Sequence, residues 1–167
     1  MMKPASGRVR LLFILLIAML VVDQGTKTLA REYLMGNAPI IFWGDLFRFE
    51  YAENSGAFLS MGASLPDNVR FWLLTVAVGG FLLFASYILM TDPKISRGTV
   101  WALALMVTGG ASNLIDRIFR AEGRVVDFMN MGVGSLRTGI FNVADMAIMA
   151  GLAIFLIEIV KDGRRGA

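Results

Sequence analysis

Two aspartates occupy surroundings that do not favour a charge. Asp145 is the lone ionisable residue between Thr138 and Ile157, and Asp127 sits in the apolar knot Val125-Val126-Asp127-Phe128-Met129. A carboxylate in hydrocarbon is costly unless it is paired, protonated or wetted. Two carboxyls brought close cannot both ionise cheaply, so they share a proton, which leaves one acid and one base in a single site. One of them can deprotonate a water while the other protonates a peptide carbonyl. That is a complete chemistry for hydrolysing a peptide bond, and it needs no metal and no cofactor.

Composition narrows the alternatives. The chain has no histidine and no cysteine. Disulfide frameworks, thiol nucleophiles, zinc sites built on His or Cys, and Ser-His triads are therefore excluded. Hydrolytic chemistry must come from carboxylates, hydroxyls, Lys, Arg or amides.

Other polar residues fall near the same level as the two aspartates. Asp23 and Lys27 lie toward the end of the first apolar segment. Asn113, Asp116 and Arg117 lie at the end of the third, and Asn142 opens the fourth. Asn113 shares a helix face with both Asp116 and Arg117, and Asn142 shares one with Asp145. Each has a plainer reading. Asp23 and Lys27 make an acid-first pair four residues apart, most simply an ion pair within one helix. Asp116-Arg117 can mark a boundary, Asn54 to Gly56 can be a turn, and Gly109-Gly110 can serve helix packing. Asp145 can be an N-terminal acid beside Asn142, the better cap, and Asp127 taken alone can be a solvated loop acid.

The elements that must position these groups are membrane helices. Of the 167 residues, 56% are hydrophobic and only 17% charged, against about 25% charged in soluble domains. The excess apolar surface needs lipid. The sequence predicts an all-α membrane protein of one domain, 1–167, with spans at about 11–30, 71–90, 98–117 and 141–160. The first run resembles a signal peptide in its basic start and short apolar core, but Asp23, Gln24 and Lys27 follow where such a segment stays neutral, so an uncleaved helix is expected. Basic residues gather in the terminal segments and the 91–97 connection: Lys3, Arg8, Arg10, Lys94, Arg97, Lys161, Arg164 and Arg165. The positive-inside rule places both termini in the cytoplasm and the two longer connections outside. The net charge of +3 follows this membrane pattern, so no nucleic-acid partner is expected. In the outer segment at about 36–66, Phe47, Phe49 and Tyr51 alternate with Arg48 and Glu50, which predicts a small outer β-sheet. A short interfacial helix is expected over Phe58–Leu65, and 119–137 reads as a Gly- and Arg-rich loop.

Five segments in order resemble the lipoprotein signal peptidase (signal peptidase II) family: "DQGTK" at 23–27, "NSGAFLS" at 54–60, "GGASNLIDR" at 109–117, "GRVVDF" at 123–128 and "FNVAD" at 141–145. The resemblance covers essentially the whole chain. It implies a bacterial intramembrane aspartic peptidase whose catalytic pair is Asp127 and Asp145. By the same motifs, Asn113, Arg117 and Asn142 line the substrate site, with Arg117 free to hold a polar carbonyl or headgroup. Asp23, Lys27, Asn54, Gly56 and Asp116 support it or touch substrate. The implied fold is a four-helix bundle with an outer β-cradle and a short outer helix. The implied partners are membrane lipid and prolipoproteins whose lipobox Cys carries diacylglycerol, cut just before that Cys in the bacterial inner membrane. Two residues depart from the family pattern: Phe58 follows Ala57, and Ser112 stands where Gly is frequent.

The rival reading is a non-enzymatic carrier or proton-coupled transport protein, because intramembrane carboxylates also serve proton relays. A relay distributes ionisable groups through the depth of the membrane, whereas the interiors of the second and third spans hold none. A presenilin-type peptidase is disfavoured by the missing Gly-x-Gly-Asp signature.

Overall fold

The computed structural model describes residues 6–57 and 62–165. Among these, four helices are long and apolar enough to cross a membrane. They are α1 (Ser6–Leu34), α2 (Asp67–Thr91), α3 (Arg97–Phe119) and α4 (Val143–Arg165). All four run beyond the uncharged runs that announced them. α1 continues past Ala30 because Ala30 and Leu34 are buried against Val126, Phe128 and Met129. α2 starts after Pro66 with Asp67 in its first turn, then widens into π-helical turns over Phe71–Ala77. α3 is capped by Ser96, whose hydroxyl accepts the Thr99 N–H at 3.0 Å.

α3 is the central helix. In its most apolar stretch 50% of residues are buried, against 6% for α1, so α1 turns most of its surface to lipid. The α3–α4 seam depends on missing side chains. A Cβ on Gly109 would stand 2.6 Å from the Ala144 carbonyl, and one on Gly151 would stand 2.7 Å from the Ala102 carbonyl. Small residues let two backbones approach this closely in a membrane, where water does not drive helices together. At the end of the bundle holding the chain termini, Ala85, Leu89, Val100, Leu103, Ala104 and Val107 form an apolar core.

At the other end lies a four-stranded antiparallel sheet in the order β1 (Ile40–Phe42), β2 (Phe47–Asn54), β3 (Val125–Val133), β4 (Leu136–Arg137). The second strand falls where the aromatic alternation placed it, and the first lies in the same β-rich outer segment. The third corrects the sequence reading, for Asp127 lies in an inner strand and not in a loop. Val125 through Asn130 are all buried, so this stretch has no polar face and shows no alternation. β2 and β3 pair with a bulge: Phe49 faces Met129 and Ala52 faces Asp127, one extra residue on β2. Past the bulge Asn54 faces Val125, and its side chain reaches Asp127.

The short helix expected over Phe58–Leu65 falls partly outside the described residues, at Phe58–Met61. Gly62–Leu65 form a turn closed by the Leu65 N–H on the Gly62 carbonyl at 3.0 Å, with Gly62 at φ +77°.

Candidate active site

The site is built on the first turn of α4. Asn142 precedes the helix and caps it: its Oδ1 accepts the Asp145 N–H at 2.9 Å, and Asp145 Oδ2 accepts the Asn142 N–H at 3.2 Å. This reciprocal arrangement satisfies two backbone donors at once. Asp145 is thus a capping acid, yet its other oxygen is turned elsewhere, accepting Asn113 Nδ2 at 2.8 Å.

Asp127 reaches the same place from β3. Its Oδ1 accepts Asn142 Nδ2 at 2.6 Å, and its Oδ2 accepts Asn54 Nδ2 at 3.0 Å. Burial pushes the Asp127 carboxyl up to about 7, and the nearby Asp145 charge pushes in the same direction, against the amides of Asn54 and Asn142. Removing a carboxyl from water disfavours its ionised form, and a second carboxylate adds repulsion.

Both aspartates line one cavity of about 320 Å³ with Asn54, Asn113 and Arg117. The rest of its lining is mostly apolar and includes Leu74, Val78, Leu114, Ile148, Met149 and Leu152. Arg117 does not hold its guanidinium free. It donates to the Gly56 carbonyl and, at 3.1 Å, to the Gly123 carbonyl. It therefore ties the two longer connections together beside the site. Gly56 also donates its N–H to Asn54 Oδ1 at 2.9 Å, which orients the amide that reaches Asp127.

Behind the cavity is a buried ring of polar groups. Lys27 Nζ lies 2.6 Å from Asp23 Oδ2 and 2.7 Å from Asp116 Oδ2, with all three side chains at or below 1% exposure. Gln24 Nε2 donates to Asp116 Oδ1 and to Ser112 Oγ, each at 3.2 Å. Ser112 Oγ donates to Asp23 Oδ2 at 2.6 Å and closes the ring. Two bonds leave it toward Asp145. Lys27 Nζ donates to Asn113 Oδ1 at 2.8 Å, and Asp23 Oδ1 accepts the Ala144 N–H at 2.9 Å. Arg120 adds a second cation to Asp116 at 2.7 Å. The pair within α1 exists, as its spacing suggests, but it belongs to a network spanning α1, α3 and α4.

The signal peptidase (SPase) II family model matches residues 15–161. The chain belongs to that family. The lipoprotein signal peptidase of Treponema denticola is 35% identical over 152 residues, covering 87% of each chain. That of Borrelia duttonii is 33% identical over 141 residues, 81% of each. Among solved structures, a bacterial membrane enzyme determined by the in meso method at 2.3 Å aligns with a TM-score of 0.81 and 21% identity, over 100% of this chain and 96% of the other. That likeness establishes the fold. Family membership makes this protein a membrane peptidase.

The sequence-predicted residues divide into two shells. Asn54, Asn113, Arg117, Asp127 and Asp145 face the cavity. Asn142, Asp23, Lys27 and Asp116 are buried behind it, and Gly56 acts through its backbone. Gln24, Ser112 and Arg120 complete the network without having been singled out as site residues. Arg120 was legible in principle, because it lies four residues after Asp116 on one helix face. Gln24 and Ser112 carry no such signal, because the groups they bond lie on a different helix.

Proposed function

We propose that this protein is an aspartic endopeptidase that removes the signal peptide from diacylglyceryl-modified prolipoproteins, cutting just before the lipidated Cys. The observation that carries the reading is the Asn142 bridge, one residue that caps Asp145 and donates to Asp127 within a cavity lined by both. The charge balance supports a shared proton. Lys27, Arg117 and Arg120 stand against Asp23, Asp116, Asp127 and Asp145, so one carboxyl carrying a proton makes the cluster neutral.

In the proposed reaction Asp145 takes a proton from a water between the carboxyls as its oxygen attacks the scissile carbonyl carbon. Asp127 gives its proton to the carbonyl oxygen, and a gem-diol forms. The C–N bond then breaks. The leaving amine takes the proton from Asp145, a diol proton returns to Asp127, and the signal peptide departs with a new carboxyl group. The two carboxyls titrate as a pair. The apolar lining beside them suits acyl chains and a signal helix.

Orientation belongs to the same proposal: both termini cytoplasmic in the bacterial inner membrane, the site near the outer face. Of the basic residues that support this, Arg8 is buried and donates to the Leu89 and Asp92 carbonyls at 3.1 and 2.6 Å, where it caps the end of α2. Arg10, Lys94, Arg97 and Lys161 keep the bias without it.

The test is incubation of the purified protein with a diacylglyceryl-modified precursor beside its unmodified form. Cleavage of the lipidated form at the bond before Cys is expected. Cleavage of both at equal rates, or of neither, refutes the proposal.

A further inference from the structure

Ser112 is fully buried where α3 meets α1, and its hydroxyl is fully committed. Gln24 Nε2 donates to Ser112 Oγ at 3.2 Å, and an amide NH₂ can only donate. The one hydroxyl proton is therefore left for Asp23 Oδ2, at 2.6 Å. Hydrogen bonds to an ionised acceptor are short and strong.

Asp23 in turn acts on another helix. Its Oδ1 accepts the N–H of Ala144 at 2.9 Å, and Ala144 is the residue before Asp145, in the first turn of α4. That N–H has no partner within the helix, so Asp23 completes a cap that Asn142 only begins. Three contacts fix the Asp23 carboxylate: Ser112 and Lys27 on one oxygen, Ala144 on the other. Without the hydroxyl, the Lys27 ammonium is the only group left on Oδ2. The carboxylate is then free to turn toward it and away from Ala144.

We infer that Ser112 is a positioning residue for the peptidase reaction: its hydroxyl orients Asp23, and Asp23 holds the first turn of α4 and with it Asp145. This rests on the proposed aspartic mechanism. Ser112 touches neither substrate nor water in it, and acts only through Asp23 and the Ala144 N–H.

The experiment uses the full chain, purified in detergent, with a diacylglyceryl-modified precursor. Ser112→Ala keeps the Cβ and removes only the donor, and Asp145→Asn is run alongside. Ser112→Ala is expected to lower kcat about tenfold with KM changed by less than about twofold. Should the alanine variant not fold, Ser112→Cys reads the same quantity. Its thiol is a weak donor of similar size, and a partial loss of kcat is expected. A purely structural role predicts a lower melting temperature with kcat per folded enzyme unchanged, and that result overturns the inference, as does a change confined to KM. The parent reading fails separately. Wild-type turnover by Asp145→Asn overturns the aspartic mechanism and the positioning role with it. An inactive Asp145→Asn beside a fully active Ser112→Ala overturns the role of Ser112 alone.

Discussion

Asn142 donates its side-chain amide to Asp127 Oδ1 at 2.6 Å while its side-chain carbonyl accepts the Asp145 N–H at 2.9 Å. One side chain therefore bridges a strand and a helix at the site. Its two ends do different work, and a substitution can separate them. Serine at an N-cap still accepts from the third helical N–H, but it cannot reach Asp127 as an amide donor. Asn142→Ser is expected to insert and fold like the wild type and to lose about a hundredfold in kcat, in the range of general acid–base contributions. Cleavage assays on the purified variant beside its melting curve decide this. A wild-type rate removes the bridge from the mechanism.

The pair itself is tested by neutral isosteres. Asp127→Asn and Asp145→Asn each keep shape and lose the proton transfer, so each is expected to drop turnover on the order of a thousandfold with membrane insertion intact. Because the carboxyls act as a unit, the double variant should lose little more than either single one. Multiplicative losses in the double variant would contradict a shared proton.

What the sequence made visible follows from where physical signals are local. Asp145 stands out because its twenty-residue surroundings are apolar, and it is at the start of α4 as expected. Asp127 was misplaced in a loop because an inner strand covered on both faces reads as a plain apolar run. Its neighbours Val125, Val126, Phe128 and Met129 are all buried. Asp23 and Lys27 looked like a pair within one helix because spacing is all that sequence displays. Their ties to Asp116, Asn113 and Ala144 exist only once three helices pack, and that packing turns on Gly109 meeting the Ala144 carbonyl. The Gly109-Gly110 pair was legible as a packing device, but its partner helix was not.

Asp127 also makes stability depend on pH. Its folded value is raised to about 7 from an ordinary 3.8, so between those values the folded state binds more protons than the unfolded one. Unfolding free energy then falls as pH rises through that window and levels off above it. In Asp127→Asn this contribution is absent. The melting temperature of the variant relative to wild type should climb from about pH 4 to about pH 7 and stay level beyond. Cleavage by the wild type should decline as pH rises through about 7, because the proton that Asp127 supplies is lost. A pH-independent difference in melting between the two proteins would show that Asp127 ionises normally.

Asn113 stands between Lys27 and Asp145, accepting from one at 2.8 Å and donating to the other at 2.8 Å. It positions Asp145 and takes no proton. Asn113→Ala is expected to impair cleavage by about ten- to a hundredfold without abolishing it, mostly in kcat. Steady-state kinetics with the lipidated precursor measure this. An unchanged rate would reduce Asn113 to scaffold, and complete loss would mean that it takes part in the chemistry.

Among the described residues Lys27 is the largest fully buried side chain and the one cation touching both Asp23 and Asp116. Taking away one partner of a buried pair leaves the other charge uncompensated, which typically costs about 3–5 kcal/mol. Lys27→Met keeps the length and removes the ammonium. Asp116 retains Arg120 at 2.7 Å, so the penalty falls mainly on Asp23, whose contacts are then Ser112 and the Ala144 N–H. The variant is expected to melt well below the wild type in detergent and to recover part of that loss in Lys27→Met/Asp23→Asn, where the stranded charge is gone. Thermal unfolding of the three proteins checks the sign of that recovery. If the double variant is less stable than Lys27→Met, the Asp23 charge is held by something other than the lysine, and the ring does not carry α1 to α4 as described.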